Sequence, residues 1–248
     1  MEIRKQFTNI HGICYPLVRE VAFDNGEYVN LGKPVTASHG ENNTDKLISD
    51  DKIFDTMYIY QNVDNPTIGY RIYSDYADWH FNGHSDDKLI QNLQERQEGV
   101  KLTSFPTGVV TKNGYIIGQE IPFFPNHSTL DIFLKTCSIG EAISLYKQLL
   151  VIFKELYING ITYTDIHAGN FMVNNNFKIE LIDFDEKYVL FDKKEKLQPM
   201  IVHLYTMINS LSSFTYKIPS LLDTQKISFD FDNIMEELDK KEKVLVKK

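Results

Sequence analysis

A polar loop that joins two apolar runs constrains this chain more than any other feature of its sequence. Asp165, His167 and Asn170 stand close together in this loop, directly after a short apolar run and a long helical pattern. A second apolar run then ends at Asp183 and Phe184. Short apolar runs separated by turn-forming residues are typical of strands joined by tight connections. We therefore expect the second strand to place Asp183 near the polar residues of the loop.

These side chains match the requirements of phosphoryl transfer from a metal-bound nucleotide. One carboxylate can orient an attacking hydroxyl group, and an Asn with a second Asp can hold Mg²⁺ against the phosphates. Asp165 is the candidate for the first role, and Asn170 and Asp183 are the candidates for the second. The alternative is a loop in which Asn and Asp are ordinary turn formers. The second acid inside an apolar strand pattern, after a long helix, favours the functional interpretation.

The order of these residues resembles the catalytic motifs of the protein-kinase-like superfamily. The segment 163–170 reads Tyr-Thr-Asp, four further residues and Asn, in the place of the kinase pattern H-R-D-x-x-x-x-N. Residues 183–185 read Asp-Phe-Asp, in the place of D-F-G. That superfamily includes eukaryotic-type protein kinases, aminoglycoside phosphotransferases and choline kinases. His167, and an acid in place of the glycine, make the segment more similar to aminoglycoside phosphotransferases and compact bacterial kinases.

The resemblance implies an α+β protein with a two-lobed protein-kinase-like fold. The expected lobes are a β-rich, nucleotide-covering N-lobe at 1–121 and a small, mostly helical C-lobe at 122–248 with the catalytic loop. Apolar residues at three- and four-residue spacing predict a long helix at about 139–158, with Ser138 and Glu141 as a capping box. The other predicted elements are hairpin strands at 56–60 and 68–73, a helix at 88–99, and strands at 105–110 and 115–119.

The resemblance also assigns nucleotide-holding roles to residues before the loop. Arg71 stands where the family has a phosphate-holding Lys, and Glu95 is the expected partner on the following helix. Gly40 falls in the place of the phosphate-covering loop, and main-chain groups near Pro122 and Phe124 are expected to bind adenine. Arg and Lys are not interchangeable, because the guanidinium is bulkier and planar. An exposed strand Arg, a solvated Glu and a plain surface loop around Gly40 remain alternatives.

The function implied by the resemblance is ATP-dependent phosphoryl transfer with Mg²⁺ or Mn²⁺. We expect a minimal serine/threonine protein kinase, with Asp165 and His167 as catalytic residues and Asn170 and Asp183 as metal ligands. His167 either lies near the transferred phosphate or makes a structural hydrogen bond in the loop. Three alternatives stay open: an aminoglycoside-type phosphotransferase, a pseudokinase-like nucleotide-binding docking module, and an enzyme that transfers the nucleotide.

Composition and length limit the kinds of partner and the location that we expect for this protein. The net charge of −8 gives no general attraction to nucleic acid or to an anionic membrane, so neither is expected as a partner. No apolar run has the length of a membrane span or a signal peptide. We therefore expect a cytoplasmic protein, although delivery into another cell by a signal-less route would leave no mark in the sequence.

The short chain after Asp183 has no room for substrate-enclosing helices, so a protein substrate is expected. The oligomeric state stays open.

Overall fold

The computed structural model describes residues 2–3, 6–8, 14–16, 20–22, 28–37, 57–62, 65–73, 86–112, 115–124, 126–192, 196–218, 221–223 and 230–246. Over these ranges the protein is of the mixed α+β class, with antiparallel sheets and five helices. The predicted α+β class is therefore confirmed.

The chain forms two compact units. The first contains residues 1–94 and 105–125, and the second contains residues 95–104 and 126–248. The predicted lobes, 1–121 and 122–248, stay a prediction.

The first unit is built mainly from strands. Its elements are β1 Glu2–Ile3, β2 Gln6–Thr8, β3 Cys14–Pro16, β4 Glu20–Ala22, β5 Tyr28–Ala37, β6 Met57–Asn62, β7 Ile68–Tyr73, α1 Asp86–Gln94, β8 Gly108–Lys112 and β9 Tyr115–Pro122. Seven of these strands form one sheet in the order β1-β4-β5-β6-β7-β9-β8, and β2 pairs with β3. The strands that carry the candidate nucleotide-holding residues, β7 and β9, are neighbours inside the large sheet.

The predicted hairpin at 56–60 and 68–73 is confirmed, since β6 and β7 pair antiparallel. Its connection is stabilised by local hydrogen bonds. The main-chain N–H of Asn65 donates to Oδ1 of Asn62 at 3.0 Å. The main-chain N–H of Ile68 then donates to the carbonyl of Asn65 at 3.0 Å. A short polar side chain that bonds its own backbone two or three residues on is the ordinary chemistry of such a turn.

The helix predicted at 88–99 ends earlier in the structure than the sequence indicates. It ends at Gln94, and a separate 3-10 turn follows at Gln97–Gly99. The side-chain Nε2 of Gln97 donates to the carbonyls of Val100 and Thr103, at 3.0 and 3.3 Å. These bonds stabilise a turn in place of a further helical turn, so Glu95 stands just beyond the helix on which it was predicted.

The strand predicted at 105–110 begins later, at Gly108. Phe105 is fully buried before the strand, and Pro106 has no N–H for a sheet ladder. The side-chain Nε2 of Gln94 donates to the carbonyl of Pro106 at 2.6 Å. The chain is therefore held outside the sheet until the proline has been passed.

The second unit combines helices with short strands. Its elements are β10 His127–Thr129, α2 Leu130–Phe133, α3 Ile139–Ile158, β11 Ile161–Tyr163, β12 Phe171–Asn174, β13 Ile179–Leu181, β14 Val189–Phe191, α4 Leu197–Tyr216 and α5 Phe231–Leu245. One sheet has the order β10-β12-β13, and β11 pairs with β14. None of the helices in the described ranges has both the length and the apolar character needed to cross a membrane.

The core of the second unit is organised around α3, and the helix predicted at 139–158 is confirmed. The buried side chains of α3 are Ala142, Ile143, Leu145, Tyr146, Leu149, Leu150, Ile152, Phe153 and Leu156. So wide a buried surface is typical of a helix that packs on several elements. α3 contacts β11 and β13 as well as α4 and α5, so the central helix supports the strand before the polar loop and the strand before Asp183.

α3 begins with the predicted capping box and ends at a glycine. Oγ of Ser138 accepts from the main-chain N–H of Glu141 at 3.3 Å, and the Glu141 carboxylate accepts from the N–H of Ser138 at 2.7 Å. The carboxylate also accepts from the Ser138 hydroxyl at 2.8 Å, and the bonds from the N–H and the hydroxyl of Ser138 hold the pKa of the Glu141 carboxyl below its usual value. After the helix, Gly160 has a φ of 73°. A Cβ there would also lie 2.5 Å from Oδ1 of Asp192, so glycine is required.

The segment 95–104 belongs to the second unit because its backbone is bonded there. The main-chain N–H of Ser104 donates to the carbonyl of Leu181 at 3.0 Å, and the N–H of Leu181 donates to the carbonyl of Leu102 at 3.1 Å. At the end of α3, the side-chain Nδ2 of Asn159 donates to the carbonyl of Gly99 at 3.0 Å. The segment therefore extends the side of β13.

The last helix, α5, packs along α3 and is anchored by ion pairs. Nζ of Lys147 lies 2.5 Å from a carboxylate oxygen of Asp239 and 2.7 Å from one of Glu242. Ile234 and Leu238 are fully buried on the same helix. Because burial of apolar side chains supplies most of the stability of a helix contact, the ion pairs mainly orient α5.

Replacing Ser138 by Ala is expected to lower the free energy of unfolding by about 1 kcal/mol, because the N–H of Glu141 loses its acceptor at the helix end. Urea unfolding followed by circular dichroism measures this change. Ser138→Asn keeps a capping oxygen and should match the parent protein. Equal stability of the Ala and Asn variants would show that α3 does not depend on the cap.

Candidate functional site

Strand pairing holds both ends of the polar loop. β11 is fully buried and ends at Tyr163, just before Asp165, and it pairs with β14. The main-chain N–H and the hydroxyl of Thr164 both donate to the carbonyl of Tyr188, at 2.9 and 3.1 Å. A 3-10 turn at Ala168–Asn170 then leads directly into β12. The loop is therefore short, and its side chains project from a backbone that is bonded on both sides.

The side chain of Asn170 fixes Asp165. It is only 4% exposed. Its Nδ2 donates to the Asp165 carbonyl at 3.0 Å, to Oδ2 of the same residue at 3.1 Å and to the hydroxyl of Tyr163 at 2.7 Å. Oδ1 of Asn170 accepts no hydrogen bond from any residue that the structure describes. The amide thus uses its donor side to hold Asp165 and to bond the hydroxyl of Tyr163.

The hydroxyl of Tyr163 connects the loop to the second acid. It accepts from Asn170 and donates to the main-chain carbonyl of Asp183 at 3.0 Å. The Tyr163 ring is fully buried. Its centroid lies 5.2 Å from the ring centroid of Phe184 and 6.5 Å from that of Phe153. Sequence reasoning used this residue only to place the motif and missed its bridging role. The available signal was a tyrosine at the end of a buried strand, since a buried hydroxyl requires partners.

Asp183 adopts a backbone conformation that is rare for its residue type. Its φ is 68°, in the left-handed region. For a residue other than glycine this conformation costs about 1 kcal/mol or more, although Asp tolerates it better than most residues. The bond from Tyr163 on one side and the buried ring of Phe184 on the other hold it in place. Ile182 also donates its N–H to the carbonyl of Asn170 at 2.9 Å, so the two halves of the motif share a main-chain bond.

His167 lies beside Asp165 on the exposed side of the loop. Its side chain is 55% exposed, and Nε2 is 3.6 Å from Oδ2 of Asp165. The two form an ion pair only when the imidazole is protonated. The Asp165 side chain is 25% exposed, so its carboxylate is partly open to solvent. The structure therefore brings together Asp165, His167 and Asn170, and ties Asp183 to them through Tyr163.

The other predicted site residues belong to different parts of the chain. Arg71 lies on β7, 4% exposed, which contradicts the alternative of an exposed strand arginine. Pro122 and Phe124 are half-buried at and just after the end of β9. Glu95 is exposed, in the second unit. Gly40 lies outside the described residues. The nucleotide-holding roles of these five residues stay predictions.

The donor set of the loop fits a hard divalent cation. Among the described residues, no group of three or more His, Cys, Asp and Glu side chains is arranged to hold a metal ion. Mg²⁺ does not need such a group, because it commonly binds one or two protein oxygens and takes its other ligands from water and substrate phosphates. Oδ1 of Asn170 and the carboxylate of Asp183 are oxygen donors of this kind, on backbone segments that are bonded to each other.

Comparisons with known proteins assign no family to this geometry. No protein-family model matches the chain, and no curated protein is similar to it in sequence. The similarity to the protein-kinase-like superfamily therefore rests on the motif residues alone, and the function of the loop has to be inferred from their contacts.

Replacing Tyr163 by Phe is expected to lower the free energy of unfolding by about 1–3 kcal/mol, because the Asp183 carbonyl and the Asn170 amide both lose a buried partner. Urea unfolding measures this loss. Tyr188→Phe is the matched control, since the Tyr188 hydroxyl bonds no described residue. Equal losses in the two variants would show that the bridge does not hold the loop.

Proposed function

We propose that this protein is an ATP-dependent phosphotransferase with a two-lobed, protein-kinase-like fold. It would transfer the γ-phosphoryl group to a serine or threonine hydroxyl of a protein. The observation that carries the proposal is the Asn170 side chain, whose donor side holds Asp165 and whose oxygen is left for a cation. A turn-forming Asn would bond only its local backbone. This one also bonds a carboxylate and the hydroxyl that leads to Asp183.

Asp165 would orient the attacking hydroxyl and accept its proton late in the reaction. The Asn170 amide holds the carboxylate from one side. The Asp165 carboxylate is partly exposed, so an incoming hydroxyl can reach it from the other side. A fixed carboxylate contributes mainly by positioning the nucleophile, which removes orientational entropy before the chemical step. His167 would place positive charge beside the transferred group when its imidazole is protonated.

Asn170 and Asp183 would hold Mg²⁺ or Mn²⁺. When bound, the metal would neutralise charge on the phosphates during transfer. The left-handed backbone of Asp183 supports this role, because a locally strained conformation held by its neighbours is common at functional sites. The protein supplies two oxygen donors whose positions are set by the Tyr163 hydroxyl and by the bond from Ile182 to Asn170.

In the same proposal, Arg71 and Glu95 position the phosphates, the backbone at Gly40 covers them, and main-chain groups near Pro122 and Phe124 bind adenine. The guanidinium of Arg71 supports its part, because it is always charged and its N–H donors match phosphate oxygens. A unit of antiparallel strands that precedes a unit rich in helices also supports the proposed fold.

A protein acceptor is preferred to a small metabolite. After α4, the described part of the chain contains one further helix, α5, and its apolar face packs on α3. A small metabolite needs to be enclosed by protein on most sides. Because α5 is used in the core of its own unit, a folded partner that presents a surface hydroxyl suits this chain better.

Incubation with ATP labelled at the γ-phosphate is expected to transfer label to a protein in a cell lysate, whereas label at the α-phosphate should stay in the nucleotide. Autoradiography after electrophoresis measures both. Label from α-ATP on protein would show nucleotide transfer. Label found only in small molecules would show a metabolite phosphotransferase. If neither label is transferred, the protein is a binding module and the proposal is wrong.

Two isosteric variants are expected to separate metal binding from transfer. Asp183→Asn keeps a residue that tolerates the left-handed backbone but removes the charge, so Mg²⁺-dependent ATP binding should weaken at least about tenfold. Asp165→Asn should keep ATP binding and lose about 10²–10⁴-fold in transfer rate. Calorimetry and label transfer measure the two properties.

The control for both variants is Asp192→Asn. This residue also has a positive φ, and its side chain is 76% exposed. It should bind ATP and transfer phosphate like the parent protein. Near-normal transfer by Asp165→Asn would show that the catalytic assignment is wrong.

A further inference from the structure

Gln119 is a buried polar side chain without a hydrogen-bond partner among the residues that the structure describes. It lies on β9 and is 1% exposed. Within the described ranges, neither its Oε1 nor its Nε2 makes a hydrogen bond. Leaving a buried amide unbonded costs about 1–3 kcal/mol, so such groups are rare in folded proteins and need an explanation. A ligand that bonds the amide when it binds is one explanation.

The sheet register places Gln119 beside Arg71. The two residues are directly opposite each other on the antiparallel strands β9 and β7. Directly opposed residues project from the same face of a sheet, with Cβ atoms about 4.5–5.5 Å apart. Both side chains are almost fully buried. One face of the sheet therefore carries a guanidinium and a carboxamide side by side, away from bulk water.

The same face becomes apolar towards the end of β9. Gly69 stands opposite Ile121, two positions along each strand from the polar pair. A Cβ on Gly69 would lie 3.2 Å from Cδ2 of Phe123 and 3.3 Å from Cγ1 of Ile121. The Ile121 and Phe123 side chains are half-exposed. The polar pair is thus the buried end of a face whose other end is apolar and accessible.

We propose that Gln119 is a second side-chain ligand for the phosphate group that Arg71 holds, with Nε2 donating a hydrogen bond to a phosphate oxygen. This inference rests on the proposed function for the identity of the ligand. Arg71 has only donors to offer, and so does the Nε2 of Gln119, whereas phosphate oxygens are strong acceptors. A neutral amide adds a bond to the anion without burying another charge, which would carry a large desolvation cost.

The test uses Gln119→Met, which keeps the length of the side chain and removes its polar atoms. Thermal unfolding without ligand should occur at the same temperature as in the parent or higher, because an unbonded buried amide is removed. The affinity for ATP with Mg²⁺, and for ADP, should fall about tenfold, and the affinity for adenosine should not change. Calorimetry measures the affinities. Gln198→Met, at an exposed position of α4, is the matched control and should behave like the parent.

Two further variants protect the test against misfolding of the Met variant. Gln119→Asn keeps the amide but shortens its reach, so it should lose ATP affinity to a similar extent. Gln119→Glu places a negative charge beside Arg71 and should weaken ATP binding more than Met does, because the carboxylate repels the phosphates.

Each remaining outcome overturns one specific statement. Parent-like ATP affinity in all three Gln119 variants would make Gln119 an ordinary core residue. Equal losses for ATP and adenosine would place its contact on the nucleoside and overturn the assignment to phosphate. If the parent protein binds neither ATP nor ADP, the proposed function fails, and the ligand named here fails with it.

Discussion

The hydroxyl of Tyr163 is the contact on which the arrangement of the polar loop depends. It accepts from Asn170 and donates to the main chain of Asp183, so a single buried group joins the two halves of the motif. The main-chain bond from Ile182, directly after β13, to the carbonyl of Asn170 also joins these two halves. Because Tyr163 is fully buried, the two bonds of its hydroxyl are stronger than they would be on the surface.

The rest of the second unit supports this contact. α3 packs its buried face on β11 and β13, which position the start of the loop and Asp183. The segment 95–104 bonds to Leu181 on the same strand. α5 then covers α3 and is oriented by the pairs of Lys147. The left-handed backbone of Asp183 is tolerated because these elements determine the chain path on both sides of it.

Local chemistry made much of the fold predictable. The capping box at Ser138, the spacing of apolar residues in α3 and the hairpin of 56–60 and 68–73 depend on residues close together in the chain, and the structure has each of them. Boundaries were less predictable where distant parts of the chain compete. The helix predicted to reach Gly99 ends at Gln94, and residues after it bond distant parts of the chain. Arg96 donates to the Asp192 carboxylate at 3.5 Å, and the N–H of Lys101 donates to the Glu155 carboxylate at 2.9 Å.

The sequence by itself determined the polar loop, the helix before it and the strands around it, because these elements depend on short-range periodicity and turn chemistry. Only the tertiary structure decided that Asn170 spends its donors on Asp165 and Tyr163, and that Arg71 is buried opposite Gln119. Strand register and side-chain burial depend on pairing between segments far apart in the chain. A one-residue shift would turn every side chain to the other face, so no local pattern could reveal these neighbours.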